Sequence, residues 1–414
     1  MTALVNTGWH TPVAADHPAA PLLCAQAVRS HCAQIMALAE RGAAAHFTWH
    51  LERLDATAAY VADTIRQRYP DLQVPYHSRW RHFEAGGVNR WKLIASSVGL
   101  HGAELARTRI DLVIPSVLLD AGAGPDWAYI DHSNQIQLSR SEGLGVASLA
   151  LFMNGALSAD PAQKLRSDAS ALASLSIETV AQAFQVGAEN PLVGLAGRTQ
   201  LLQRLGEVAA ATPAVFGSPA RIGNIYDYLA AHAQDKRIEA GFILATLLRA
   251  LGPVWPGRIE LDGVSLGDCW RHPGTSDGLV PFHKLTQWVT YSMLEPLEEA
   301  GLIVTGLDQL TGLPEYRNGG LLLDLGLLVP RDPAFFRNSM TVDDPAVVEW
   351  RALTVIALDR LADLVRAKLG VDATAFPLAR ILEGGTWAAG RRIAAELRRG
   401  GGPPVKIESD GTVF

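Results

Sequence analysis

A long capped segment near the C-terminus, from Asp344-Pro345 to Gly370, constrains the fold of this chain most. Asp is a favoured helix N-cap. Proline suits the first turn, where its missing N–H costs nothing, and glycine is a common stop. Between these caps Val348, Val355, Leu358, Leu361, Leu364 and Val365 recur with the helical period, so one face is built to be buried. The rest of the chain reads the same way. Ala25 to Tyr69 is rich in Ala, Leu, Arg and Glu, and Pro70 and Pro75 stop it. A second helical region opens at Asp160-Pro161 and runs to about Ala211. Thr212-Pro213 and Gly217-Ser218-Pro219 break the pattern. Tyr226 to Leu251 and Trp387 to Arg398 complete the helical set.

Strand candidates are few. Arg258 to Ser265 reads as a hairpin turning at Asp262-Gly263, and Val405 to Phe414 as a second, C-terminal hairpin. Leu321 to Val329 is apolar enough for either strand or buried helix. The expected class is mainly α with minor β. Residues 1–75 are expected to form a helical segment packed on a core domain of residues 76–414.

Composition narrows the function. A chain of 414 residues that is 48% hydrophobic and 19% charged buries a large core unaided. Its net charge of −6 gives no electrostatic reason to expect nucleic acid. Cys24, Cys32 and Cys269 are few and odd in number, which points to a reducing, cytoplasmic setting without disulfides. The N-terminus lacks a basic head and apolar run, so no secretory signal is expected, and no uncharged apolar stretch reaches membrane-spanning length. His46 and His50 stand four apart on an expected helix, but no third ligand accompanies them, and no metal site is assigned. Neither a P-loop, a dinucleotide fingerprint nor a Gly-x-Ser-x-Gly elbow occurs.

The densest chemistry lies in Leu310-Thr-Gly-Leu-Pro-Glu315-Tyr316-Arg317-Asn318-Gly-Gly320. Four consecutive functional groups cannot share one face of a regular element, so a turn must gather them if they act together. An acid can handle a proton or a water, and an arginine beside it can grip a phosphate. The plain alternative is a solvated surface turn. Three more clusters stand out. Leu118 to Trp127 places Asp120, Asp126 and Trp127 among small residues. Gly267 to His272 carries Asp268 in a loop. The expected helix Phe282 to Leu297 sets Lys284, Gln287 and Tyr291 on one polar face.

Several long motifs, in order, resemble the uracil-catabolism family of the pyrimidine-degradation route through ribosylurea. They are Ser78 to Gly87, Leu118 to Trp127, Ser141 to Leu149, Leu279 to Trp288 and Leu310 to Asp324, and the resemblance runs from about Arg29 to Phe414. A fainter one links Val117 to Leu328 with the queuosine 5′-phosphate N-glycosylase family. Leu310 to Gly320 is similar to that family's Asp-Tyr-Arg motif, with Glu315 in place of Asp. Phe282-His-Lys284-Leu-Thr-Gln287 is similar to its Phe-Tyr-Lys segment, and Pro191-Leu-Val193 to one of its helix starts. The resemblance implies a helical, DNA-glycosylase-like architecture.

Together these imply an N-ribosyl hydrolase of uracil breakdown acting on a ribosylurea 5-phosphate, a small phosphorylated ribosyl substrate. Such a reaction passes through an oxocarbenium-like state and calls for two carboxyl groups. Asp268 and Glu315 are the expected catalytic pair, with Asp268 on the water or the ribosyl cation. Lys284 and Arg317 are expected on phosphate, Tyr316 and Gln287 on ribose or urea, and Asn318, Asp120, Asp126 and Trp127 along the pocket. No cofactor is implied. Two alternatives stand beside this: a non-catalytic nucleotide-binding or scaffold protein, and a nucleobase N-glycosylase using Arg79-Trp80-Arg81-His82 with Arg90-Trp91 as a single-strand platform.

Overall fold

The chain's own punctuation sets its helices. In the computed structural model, which describes residues 16–255 and 258–408, the long helix spans Pro345–Leu369. Asp344 accepts the Ala346 N–H at 2.8 Å, and Gly370 leaves the helix at φ 72°. Val348, Val355, Leu358, Leu361 and Val365 are buried along one side, while Leu364 lies partly buried at its edge. Helices Ala25–Glu40 and Leu54–Arg68 pack against it.

Where the sequence suggested one helical region from Ala25 to Tyr69, the structure has two helices around the strand Phe47–Trp49. That strand pairs antiparallel with Leu328–Pro330. The break has a physical cause. Glu349 gathers the N–H groups of Ala45, His46 and Phe47 at 2.8–3.1 Å, which holds this stretch extended. His46 and His50 therefore flank a strand rather than share a helix face. Asp160 to Ala211 likewise divides, into Ala169–Ala173, Ile177–Ala183 and Leu195–Ala210.

The Asp262-Gly263 hairpin forms as read, with φ of 44° and 79° at its two turn residues, the positive pair that a type I′ turn needs. Leu321 to Val329 is both of its alternatives in succession: the end of helix Tyr316–Asp324, then the start of strand Leu328–Pro330. Of the expected C-terminal hairpin, Lys406–Glu408 instead pairs parallel with Ser339–Thr341, and its second arm, 409–414, lies outside the described residues. Each sheet among the described residues has only two strands, so the fold is mainly α with minor β. None of the described helices is long and apolar enough to cross a membrane. One apolar core takes in residues from Ala19 to Val405.

Two helices that frame the site contain interior prolines, Pro115 in Gly102–Leu118 and Pro296 in Lys284–Glu299. An interior proline strips the carbonyl four residues earlier of its donor. Each freed carbonyl is taken by a distant side chain: Ser167 Oγ donates to Asp111 O at 2.7 Å, and Trp80 Nε1 to Ser292 O at 2.9 Å. The second of these bonds anchors the Ser78 to Phe83 segment. Arg79 N–H adds a bond to Ser292 Oγ at 2.9 Å, and Arg81 reaches Glu295 at 2.9 Å. Trp80 is buried against Trp91, and Arg109 lies 3.9 Å above its ring. These aromatics are packing groups and offer no stacking platform for bases.

Candidate active site

Glu315 is the N-cap of helix Tyr316–Asp324. Its two carboxylate oxygens accept the N–H groups of Arg317 and Asn318, each at 2.7 Å. The glycines behind it serve packing. A Cβ at Gly319 would come within 2.5 Å of the Trp350 ring, whose Nε1 donates to Gly319 O at 3.1 Å. Glu315 is only 7% exposed. Burial raises its carboxyl above the usual range, and the Arg317 N–H, Lys284 and the Asn318 N–H offset only part of that.

Asp268 has a different setting. Arg351 grips it fork-on at 2.9 and 2.8 Å, Trp270 Nε1 donates at 2.6 Å, and the Lys284 backbone N–H at 3.0 Å. Four donors occupy the lone-pair directions of its two oxygens. Burial works to raise this carboxyl, but Arg351, by charge and by hydrogen bond, then Trp270 and the Lys284 N–H, bring it down to about 2. Arg351 Nε also donates to Pro314 O at 3.3 Å. The arginine thus ties the Asp268 loop to the residue just before Glu315.

Lys284 opens helix Lys284–Glu299 behind His283, which sits in the left-handed region at φ 50°, uncommon for a residue other than glycine. Its amine is buried 5.9 Å from the Trp288 ring. Burial lowers its pKa, and the charges of Glu315 and Asp120 act against that lowering more than those of other acids. Asp120 comes from the end of the Gly102–Leu118 helix, and its side chain is 7% exposed. Arg79 Nη1 forms an ion pair with Asp120 Oδ1 at 2.9 Å. Burial works to raise this carboxyl too, yet Arg79, His82 and Lys284 outweigh it and hold the group below its ordinary range. Beside it His82 is pushed down to about 4, by burial first and by Arg79 second, so it is neutral.

The remaining predicted residues divide. Gln287 is fully buried, with Nε2 donating to Phe282 O and Thr311 Oγ1 and Oε1 accepting from Thr311 N–H. Tyr291 donates to Thr311 O at 2.9 Å. The expected polar face is therefore an internal clamp on the Leu310 motif, because Thr311 supplies partners that a solvent face would find in water. Trp127 is buried, with Nε1 on Phe184 O at 3.0 Å, whereas Asp126 is exposed. Asn318 donates to Leu313 O at 3.0 Å, and its own Oδ1 is buried without a partner. Tyr316 is half-buried, its hydroxyl pushed up to about 12 by burial first, then by Glu315 and Asp120. Asp324 is paired with Arg398, and the Arg317 guanidinium donates to Gly401 O at 2.8 Å.

A cleft of about 640 Å³ opens alongside this cluster. It is lined by His82, Arg140, Glu142, Glu383, Trp387 and Arg391 among others; of these the sequence drew attention only to His82, in the Arg79 to His82 stretch. Asp120 lies one layer behind: His82 contacts Arg79 at 2.9 Å, and Arg79 pairs with Asp120. Glu383 stands in a π-helical turn, Ile381–Thr386, and pairs with His77 at 2.8 Å. Such turns often mark functional sites. One signal in the sequence could have found it: Glu383-Gly384-Gly385-Thr386-Trp387 repeats the mix of acid, glycine and aromatic seen at Glu315 to Gly320.

One group of potential metal ligands exists among the described residues, His46, His272 and Glu349. Its donor chemistry fits a structural clamp better. Glu349 already accepts three backbone N–H groups. His272 Nδ1 accepts from Gly274 N–H at 3.0 Å, which leaves the proton of a neutral ring on Nε2, 3.6 Å from Glu349.

Fold and site together describe a helical protein with a cluster of buried acids, an amine and arginines beside a cleft lined by polar and aromatic side chains. Residues 21–414 match the family described as "Protein of unknown function (DUF1688)". The chain is 37% identical to "Uracil catabolism protein 4" of Lachancea kluyveri over 440 residues, covering 96% of this chain and 99% of that one. It is also 37% identical to "Protein urg3" of Schizosaccharomyces pombe over 407 residues, covering 95% and 98%. The chain belongs to this DUF1688 family.

Proposed function

We propose that the protein is an N-ribosyl hydrolase of uracil catabolism, acting in the cytoplasm on a ribosylurea 5-phosphate and releasing urea and ribose 5-phosphate. A relative named for uracil catabolism, matched over nearly the full length of both chains, supports the pathway. The chemistry rests on one observation: around the Lys284 amine stand two acids whose surroundings push them apart, Glu315 upward and Asp120 downward. Paired groups with opposed shifts are how one site holds both an acid and a base near neutral pH.

In this reading Glu315 is protonated and donates to the departing urea nitrogen as the C1–N bond breaks. Asp120, ionised beside Arg79, stabilises the ribosyl cation or takes a proton from the attacking water. Water supplies the hydroxyl to C1 and its proton completes the balance. Asp268, its acceptors filled, positions Lys284 and the Glu315 turn through Arg351. Tyr316 borders the sugar and Arg317 the phosphate. The direct test incubates the purified protein with ribosylurea 5-phosphate, without added metal or nucleotide, and measures urea. Stoichiometric urea and ribose 5-phosphate are expected. Folded protein that binds the substrate without releasing urea would instead be a binding protein, and a requirement for pyrophosphate would make the reaction a phosphorolysis-type transfer.

A further inference from the structure

Two guanidinium groups line one end of the cleft, and another, from a separate element, hangs from a residue next to that lining. Arg140 begins helix Arg140–Met153, Arg317 lies in the first turn of Tyr316–Asp324, and Arg391 stands on Trp387–Leu397. Arg140 Nη2 donates to Gly400 O at 3.3 Å and Arg317 Nη1 to Gly401 O at 2.8 Å, so two of them hang from adjacent carbonyls. The third is brought up by close helix packing: a Cβ on Gly390 would come within 2.3 Å of Arg317 O, and Arg391 is the next residue. Arg140, Arg391 and Gly400 line the same cleft.

The charges do not balance. Glu142 pairs with Arg391, but among the described residues no carboxylate forms an ion pair with Arg140 or Arg317. The nearby Arg398 is already matched by Asp324. Three positive groups thus face one negative group. Burial lowers the Arg317 pKa first; Tyr316 and Glu315 act against that, and the like charges of Arg140 and Arg391 add to the lowering. Arg140 also holds a left-handed backbone, φ 54°, at the start of its helix. Non-glycine residues persist in that region where the surrounding structure over-determines them, and such positions gather at ligand clamps.

We propose that Arg140, Arg317 and Arg391 form the seat of a phosphate monoester dianion at the mouth of this cleft. Guanidinium forks match the spacing of phosphate oxygens, and the local surplus of two positive charges matches the dianion. The assignment deepens the N-ribosyl hydrolase reading by naming what holds the substrate's 5-phosphate. It also releases Lys284, which is enclosed with the acids, from the phosphate role expected from sequence.

The test is calorimetric titration of the full chain with ribose 5-phosphate, inorganic phosphate, ribose and acetate. Ribose 5-phosphate and phosphate should bind more tightly than ribose and acetate, and more weakly as salt rises. Arg140→Gln and Arg391→Gln should each weaken ribose 5-phosphate binding about tenfold or more, the usual worth of a charge-assisted contact. Neither should change ribose binding. If Arg140→Gln melts early, Arg140→Lys keeps the charge and should bind within a fewfold of the parent. Unchanged phosphate affinity in both glutamine variants overturns the seat, and equal acetate and phosphate affinity makes it a general carboxylate site instead. Because no turnover is measured, failure of the hydrolase reading would leave these outcomes legible.

Discussion

At the scale of single residues, the three acids of the cluster carry three different environments, and each predicts its own pH behaviour. On the proposed hydrolase mechanism Glu315 acts protonated, so activity should fall as pH rises through its raised pKa. On the same mechanism Asp120 acts ionised, so activity should fall as pH drops through its lowered one. The profile of kcat/KM should be bell-shaped, and Glu315→Gln should lower kcat by about 10²- to 10⁴-fold with little change in KM. An unchanged kcat in that variant would remove Glu315 from the chemistry. Asp268 affects stability. Its folded pKa of about 2 lies below the ordinary 3.8, so its contribution is complete above about pH 4 and vanishes as pH falls through about 2. That contribution is on the order of 2 kcal/mol. Asp268→Asn removes the charge that balances buried Arg351 and should cost about 3–5 kcal/mol in urea denaturation. A variant with native stability but lost turnover would return Asp268 to the catalytic role that its sequence context suggested.

At the scale of elements, the two interior prolines show what the sequence displays and what it hides. Pro115 and Pro296 are visible, and each reads as a helix break. Their helices continue because Ser167 and Trp80 take the freed carbonyls of Asp111 and Ser292, and no local pattern points to partners so far along the chain. The capped Pro345–Leu369 helix and the Asp262-Gly263 hairpin were legible because their determinants are local: caps, period and turn chemistry. The Ala25 to Tyr69 region was misread because the carboxylate that holds its middle extended, Glu349, comes from the far end of the sequence. The Ser167 bond gives a clean test. Ser167→Ala alone should cost about 1–3 kcal/mol, since it strands a buried carbonyl. In a Pro115→Ala background, residue 115 regains an N–H for Asp111 O, and the same change should cost clearly less. Equal costs in both backgrounds, measured as a double-mutant cycle, would show that Ser167 acts through packing alone.

At the scale of the whole molecule, the sequence located the Leu310 to Gly320 motif but not the walls around it. His82, Arg140, Glu383, Trp387 and Arg391 reach the cleft from segments up to some three hundred residues apart, and only folding makes them neighbours. The N-terminal region illustrates the same closure. Arg29, on helix Ala25–Glu40, binds Asp359 of the long helix at 2.8 Å. Its other nitrogens donate to Gln309 O at 3.1 Å and Leu310 O at 2.7 Å, the entrance to the Glu315 turn. Val28, Ile35 and Val61 share the core that contains Leu353 and Leu358. A first segment bound this way is expected to unfold together with the remainder, even though the sequence reads as residues 1–75 added to 76–414. Scanning calorimetry should show one transition, coincident with loss of tryptophan fluorescence. Arg29→Ala should lower its midpoint without splitting it, for a loss of about 1–2 kcal/mol once the pair's partial exposure is discounted. The same variant should lower kcat, because the Leu310 carbonyl loses the group that fixes the turn bearing Glu315. Two separated transitions, with the later one unaffected by Arg29→Ala, would mean that the first helices are an independent unit and that the Glu315 turn is held without them.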